Sequence, residues 1–176
     1  MNRQNSERVV AGDVEQFCAI FAKIKLRFDE QNHKALLCKQ GFYDGCSVLK
    51  LQKASWTNDP MDRVQNTSGI FFSVWVSQES IRKNRANYNI HALKLRQLAG
   101  YSITARNFAD DFRNGLAAMR NTWPNMSTDY GPQTLMQGWI EIDFDRFERD
   151  IHLLLKRFLP VSKLIDRLVE ARRKEP

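Results

Sequence analysis

The chain has 176 residues, 43% of them apolar and 27% charged, with a net charge of +7 and a pI near 9.5. This composition excludes a disordered or fibrous chain, and at 20.6 kDa folding buries roughly 70% of the unfolded surface, enough for a core without metal or disulfide staples. No run approaches the ~20 apolar residues of a membrane span, and Met1 to Glu7 lacks the apolar centre of a signal peptide, so the expected setting is cytoplasmic, with no membrane partner.

Residues 1–11 read as a polar, disordered lead-in, and residues 12–176 as a single α+β domain with no linker or internal repeat. Asp13 and Gln16 have capping-box spacing. Val14, Phe17, Ile20, Phe21, Ile24 and Phe28 follow at helical intervals, which predicts a core-packing helix to Gln31 with Cys18 buried on its apolar side. From Ala35 the period shortens. Two apolar-rich runs, 35–38 and 46–51, flank Asp44-Gly45, a pair that tolerates the positive φ angles of a hairpin turn. Asn58-Asp59-Pro60 and Asn66-Thr67-Ser68-Gly69 mark a loop. The run 70–77 is the clearest strand, with Ile70, Phe72, Val74 and Val76 on one side.

The segment 88–98 combines strand alternation with good helix formers, and is read as strand. Ser102 or Thr104 caps a helix to Arg120 with Phe108, Phe112, Leu116 and Met119 inward. A long loop over 123–132 leads to a strand over 134–142, which puts Met136, Ile140 and Ile142 on one face and Leu135 and Trp139 on the other. Last comes a helix from Phe144 to Arg173, which Pro160 is expected to kink or break. Short connections between strands imply a mainly antiparallel sheet of about five strands, with N-terminal, middle and long C-terminal helices packed against it.

No phosphate-binding glycine loop, nucleophile elbow or zinc-protease motif occurs, so no catalytic residue, cofactor or metal is expected. Three cysteines without a CxxC pair, Cys18, Cys38 and Cys46, read as reduced structural thiols. The densest basic stretch is Arg82, Lys83, Arg85, Lys94 and Arg96, with Tyr88 and His91 interleaved. Cations beside planar rings suit phosphate contact with base stacking, so Arg82, Lys83, Arg85, Tyr88, Lys94 and Arg96 form the candidate nucleic-acid surface. A strand there puts Tyr88, Lys94 and Arg96 on one face with Ile90 and Ala92; charge protection of an edge strand explains the same cations. Trp123, Asp129 and Tyr130 in the long loop are a second candidate, for a ligand or partner, against the simpler role of anchoring that loop.

The functional expectation is therefore a small basic binding module associated with nucleic acid through 82–96. The alternative is a protein-interaction or homo-oligomeric subunit using 144–173, whose apolar stripe is longer than a small sheet needs. A third reading is an enzyme assembled by the fold from Asp129, His91, Arg96 or Glu141, including a metal-dependent nuclease on Glu141 and Asp143.

Overall fold

The computed structural model describes residues 3–31, 36–59, 64 and 68–175, with side chains from Val14 onward. Five strands, β1 (Leu37–Tyr43), β2 (Cys46–Gln52), β3 (Gly69–Val76), β4 (Arg85–Leu93) and β5 (Thr134–Glu141), lie in the sheet in chain order. Every neighbouring pair is antiparallel. The helices are α1 (Arg3–Glu30), α2 (Gln78–Arg82), α3 (Ala105–Leu116) and α4 (Phe147–Glu170). This is the α+β architecture expected from the alternation of periods. Helix α1 begins at Arg3, so Asp13 lies inside it and does not cap its start, and residues 3–11 of the expected lead-in are helical.

Local chemistry explains most of the elements. Asp44 (φ 49°) and Gly45 (φ 72°) both take the left-handed conformation of a two-residue turn whose twist matches the flanking strands. The Ser77 hydroxyl accepts the Ser80 amide at 3.1 Å and starts the short helix α2. In α1, Val14, Phe17, Phe21, Ile24 and Phe28 are buried, whereas Cys18 is only half-buried, one step off the apolar stripe.

Several expected boundaries are corrected. β4 ends at Leu93: Lys94 turns left-handed (φ 55°) and Leu95–Gln97 forms a 3₁₀ turn, so 88–98 is not one strand. Thr104 occupies the cap position of α3 without a side-chain capping bond, and beyond Leu116 the chain tightens into a 3₁₀ segment, Ala117–Thr122. Helix α4 starts at Phe147, because Asp143 accepts the Asp145 amide (3.1 Å) and the Arg146 side chain (2.6 Å) and so closes a turn first. Pro160 sits inside α4 without ending it. Both Pro160 and Lys156, four residues earlier, are exposed, so the carbonyl that loses its partner lies on the wet side of the helix.

The described helices cover one face of the sheet. Helix α1 packs on β1 and β2, while α3 packs on β5 and α4. Phe72 lies near the centre of the core, stacked on Phe158 at 4.8 Å and flanked by Tyr88 and Trp123 at 6.3 and 6.1 Å. Phe147 joins α4 to α1 through Phe17 and Phe21. The α4 stripe, including Ile151, Leu154, Phe158, Val161 and Ile165, is buried in this core. The surplus apolar surface that suggested an interaction helix over 144–173 is therefore used within the chain; Phe144 and Leu153 are its large exposed apolar residues.

The long loop before β5 is anchored at both ends. Trp123 is buried, and Tyr88, fully enclosed, donates its hydroxyl to the Pro124 carbonyl at 2.6 Å. A Cβ on Gly138 would stand 2.3 Å from that hydroxyl, so the bond needs glycine there. Ser127 pairs backbone to backbone with Gln137 (2.8 and 3.0 Å), and Asn125 donates to the Trp139 carbonyl at 3.0 Å, which covers the outer edge of β5. The Arg113 guanidinium reaches the carbonyls of Tyr130, Gly131, Thr134 and Leu135 at 2.8 to 3.4 Å. It does so beside a register shift that pairs Ile90 with Met136 but His91 with Thr134. Leu135 is the extra residue of this bulge, and it is buried together with Met136 instead of sharing a face with Trp139.

Candidate functional site on the open face of the sheet

Among the described residues no helix lies on the second face of the sheet, and its side chains are not those of a simple solvated surface. In β3 the alternation leaves Phe71, Ser73 and Trp75 on this side; in β4 it leaves Arg85, Asn87, Asn89 and His91. Register then builds rows across the strands. Lys39, Lys50, Ser73, Asn89 and Gln137 stand side by side from β1 to β5. The adjacent row runs Gly41, Val48, Trp75, Asn87 and Trp139. A polar row thus lies next to an aromatic one, a juxtaposition made entirely by strand pairing.

Between these rows, toward β1 and β2, lies a cleft of about 350 Å³ walled by Val48, Val64, Phe71, Trp75 and Tyr43, with Ser73, Asn89 and His91 at its polar end. The volume sits at the small end of ligand sites, and apolar walls with a few polar groups are their usual lining. Lys50 is almost fully buried in the floor, with its ammonium 4.3 Å from the centroid of the Phe71 ring.

The polar end is ordered by a chain of hydrogen bonds whose direction follows from one carbonyl. His91 Nδ1 lies 3.2 Å from both the Gln133 carbonyl and the Thr134 hydroxyl; the carbonyl can only accept, so Nδ1 carries the proton and the Thr134 oxygen accepts a share of it. In the neutral ring Nε2 is then an acceptor, and Asn89 Nδ2 donates to it at 2.7 Å. This turns Asn89 Oδ1 toward Ser73, whose hydroxyl donates to it at 2.6 Å. Burial holds His91 below the usual histidine range, only partly offset by the Gln133 bond, which favours the neutral ring this chain requires. The ring meets that of Phe71 edge to face, with centroids 5.5 Å apart.

No family model, characterised protein or solved structure matches the chain significantly. Function therefore has to be read from the site.

The residues singled out from sequence fall in several places. Tyr88 is buried with Ile90 and Ala92 on the helix side of β4, so it is not a stacking residue on an exposed face. Burial raises its phenol pKa well above the usual value. The other cations remain outside but split into two groups. Arg82, Lys83 and Arg85 are exposed at the start of β4; Lys94 and Arg96 are exposed past its end, about 30 Å away for a nine-residue strand. Lys83 pairs with Glu79 at 2.6 Å, and the Arg85 guanidinium lies 3.9 Å over the Trp139 ring. Of the loop candidates, Trp123 is a core anchor, while Asp129 and Tyr130 are exposed; the carbonyl of Tyr130, not its ring, binds Arg113.

Of the residues of the fold-assembled enzyme, His91 and Glu141 stand at opposite ends of β4. His91 pairs with Thr134, whereas Glu141 pairs with Arg85 six positions along β4, about 20 Å away. Glu141 accepts from Asn84 at 3.1 Å, and Asp143 lies beyond the end of β5, so the two acids are not a same-face strand pair. Among the described residues no three His, Cys, Asp or Glu side chains converge on a metal-sized site. Cys46 borders the cleft, but burial and Asp44 raise its thiol pKa; burial and Asp29 push Cys38 up to about 12, so both disfavour the reactive thiolate.

Sequence reasoning missed the open-face site. Its one local signal was alternation in β4, Asn87-x-Asn89-x-His91 opposite Phe71-x-Ser73-x-Trp75 in β3, polar and aromatic where a solvated face would carry charge. The rows themselves need the register.

Proposed function

We propose that this protein is a non-enzymatic binding module that takes a single-stranded nucleic acid across the open face of its sheet. The observation that carries this reading is a sheet face, clear of helices among the described residues, that bears an aromatic-walled cleft between two basic ends, Arg82 and Arg85 on one side and Lys94 and Arg96 on the other. Flat sheet faces with aromatic side chains stack unpaired bases, and flanking cations hold the backbone. A net charge of +7 adds a field that draws polyanions in. A duplex keeps its bases stacked inside and cannot place one in a cleft of this size. The basic stretch expected from sequence thus keeps its role only as two separate phosphate-contacting ends, with Tyr88 removed from it.

Fluorescence anisotropy with labelled single- and double-stranded RNA and DNA, over a salt series, tests the proposal. Single strands bind more tightly than duplexes of equal length, with log K falling linearly against log salt at about 0.7 per phosphate neutralised. The combined Arg82→Ala and Arg85→Ala variant lowers that slope, as does Lys94→Ala with Arg96→Ala. Equal affinity for duplex, or no binding at low salt, defeats the reading.

A further inference from the structure

We propose that the cleft on the open face holds one unpaired nucleobase, its flat faces against the aromatic wall and an N–H on its edge donated to Ser73. The inference rests on the nucleic-acid reading above, and adds to it a site for the base itself.

Three features carry it. The cleft measures about 350 Å³, room for one ring system and not for a folded strand. Phe71 and Trp75 supply flat apolar surface, which favours a planar occupant over a branched one. The third feature is the direction of the hydrogen-bond chain. Because the Gln133 carbonyl fixes His91, and His91 fixes Asn89, the Ser73 hydroxyl has already given its single proton to Asn89 Oδ1 at 2.6 Å. Toward the cleft Ser73 therefore offers lone pairs only. Both Ser73 and Asn89 are more than nine-tenths buried, so this acceptor is held in place before any ligand arrives. A buried, pre-oriented acceptor discriminates strongly for a donor, since a ligand lacking one leaves it unpaired. Nucleobases meet the combined demand: a flat ring, an N–H in its plane, and no charge of their own to desolvate. His91 acts through Asn89 and is a positioning residue.

The test uses free nucleosides, which carry no phosphate, so it is independent of the basic ends. Uridine, cytidine, adenosine and guanosine are titrated into the full chain by calorimetry at low and high salt. Each is compared with the derivative in which every N–H of the base is methylated. At least one nucleoside is expected to bind saturably and with little salt dependence, and to lose tenfold or more in affinity on methylation. Ser73→Ala and Asn89→Ala produce the same loss, while Lys23→Ala, on the exposed side of α1, leaves nucleoside affinity unchanged. The methylated ligands probe the unaltered protein, so a variant that fails to fold does not blunt the test. His91→Gln flattens the decline of affinity that the unaltered protein shows as pH is lowered through the histidine range. Absence of nucleoside binding, or binding indifferent to methylation, overturns the inference even if oligonucleotides bind. Nucleoside binding without oligonucleotide binding leaves the cleft standing and removes the nucleic-acid reading instead.

Discussion

Strand β3 presents two different surfaces from one stretch of chain. Ile70, Phe72, Val74 and Val76 are wholly enclosed beneath the helices, while Phe71, Ser73 and Trp75 point the other way into a polar and aromatic array. The first set is chosen by volume and apolarity, and its members are interchangeable with others of similar shape. The second is chosen by which atom donates and which accepts, and there a change of one atom reverses what the surface offers. The contrast separates residues that hold the molecule together from residues that orient something for a partner.

The largest expected effect breaks the helix side. Phe72→Ala removes a ring packed on three others and should cost about 3–5 kcal/mol in denaturant unfolding. Trp75→Ala, half-exposed on the open face, should cost less than about 1.5 kcal/mol. Similar losses at both positions would erase the distinction between the faces. Next in size is the support behind the open face. Arg113→Ala strands four carbonyls and should cost about 2–3 kcal/mol, and Arg113→Lys should recover little of it because an ammonium lacks the planar fork. Amide exchange that accelerates over 130–135 only, with no global loss, would show that the guanidinium orders the loop without stabilising the fold. Gly138→Ala forces the Tyr88 hydroxyl away from Pro124 and should cost about 1–3 kcal/mol; thermal unfolding measures it, and an unchanged midpoint would mean that Tyr88 can move aside.

The smallest effect is in pH. Burial depresses the pKa of His91 in the folded state, so the unfolded chain binds the proton more readily. Stability then rises with pH across the window below the unfolded histidine value of about 6.5, and is lost as pH falls through it. His152 is depressed in the same direction, by burial first and by Arg27 next, so the comparison that isolates His91 is wild type against His91→Gln. Parallel stability curves between pH 7 and 5 would assign the acid sensitivity to His152.

Much of the fold could be read locally. Alternation in 70–77 and the Asp44-Gly45 turn depend on neighbours in sequence, and the structure reproduces both. The helical stripe of α3 is legible for the same reason: Phe108, Phe112 and Leu116 are buried as their spacing requires. Tyr88 was grouped correctly with Ile90 and Ala92, but local sequence does not say which face of β4 the helices cover. Interleaved cations drew that face outward in the reading, whereas the apolar pair sets it inward. Leu135 could not be placed because a bulge is a property of two strands together. The polar row from Lys39 to Gln137 needs four registers at once, and no window of sequence contains it.

The two rims of the sheet are also unequal, and this bears on assembly. Ser127 and Asn125 occupy the outer rim of β5, while among the described residues no strand borders β1 on its far side, where Phe42 and Tyr43 are exposed. A sheet sealed at one rim can be extended by strand pairing only at the other. If two copies meet β1 to β1, each brings its own seal, and the product is a closed ten-stranded pair with no rim left to recruit a third. Strand pairing through β1 alone would therefore stop at two chains.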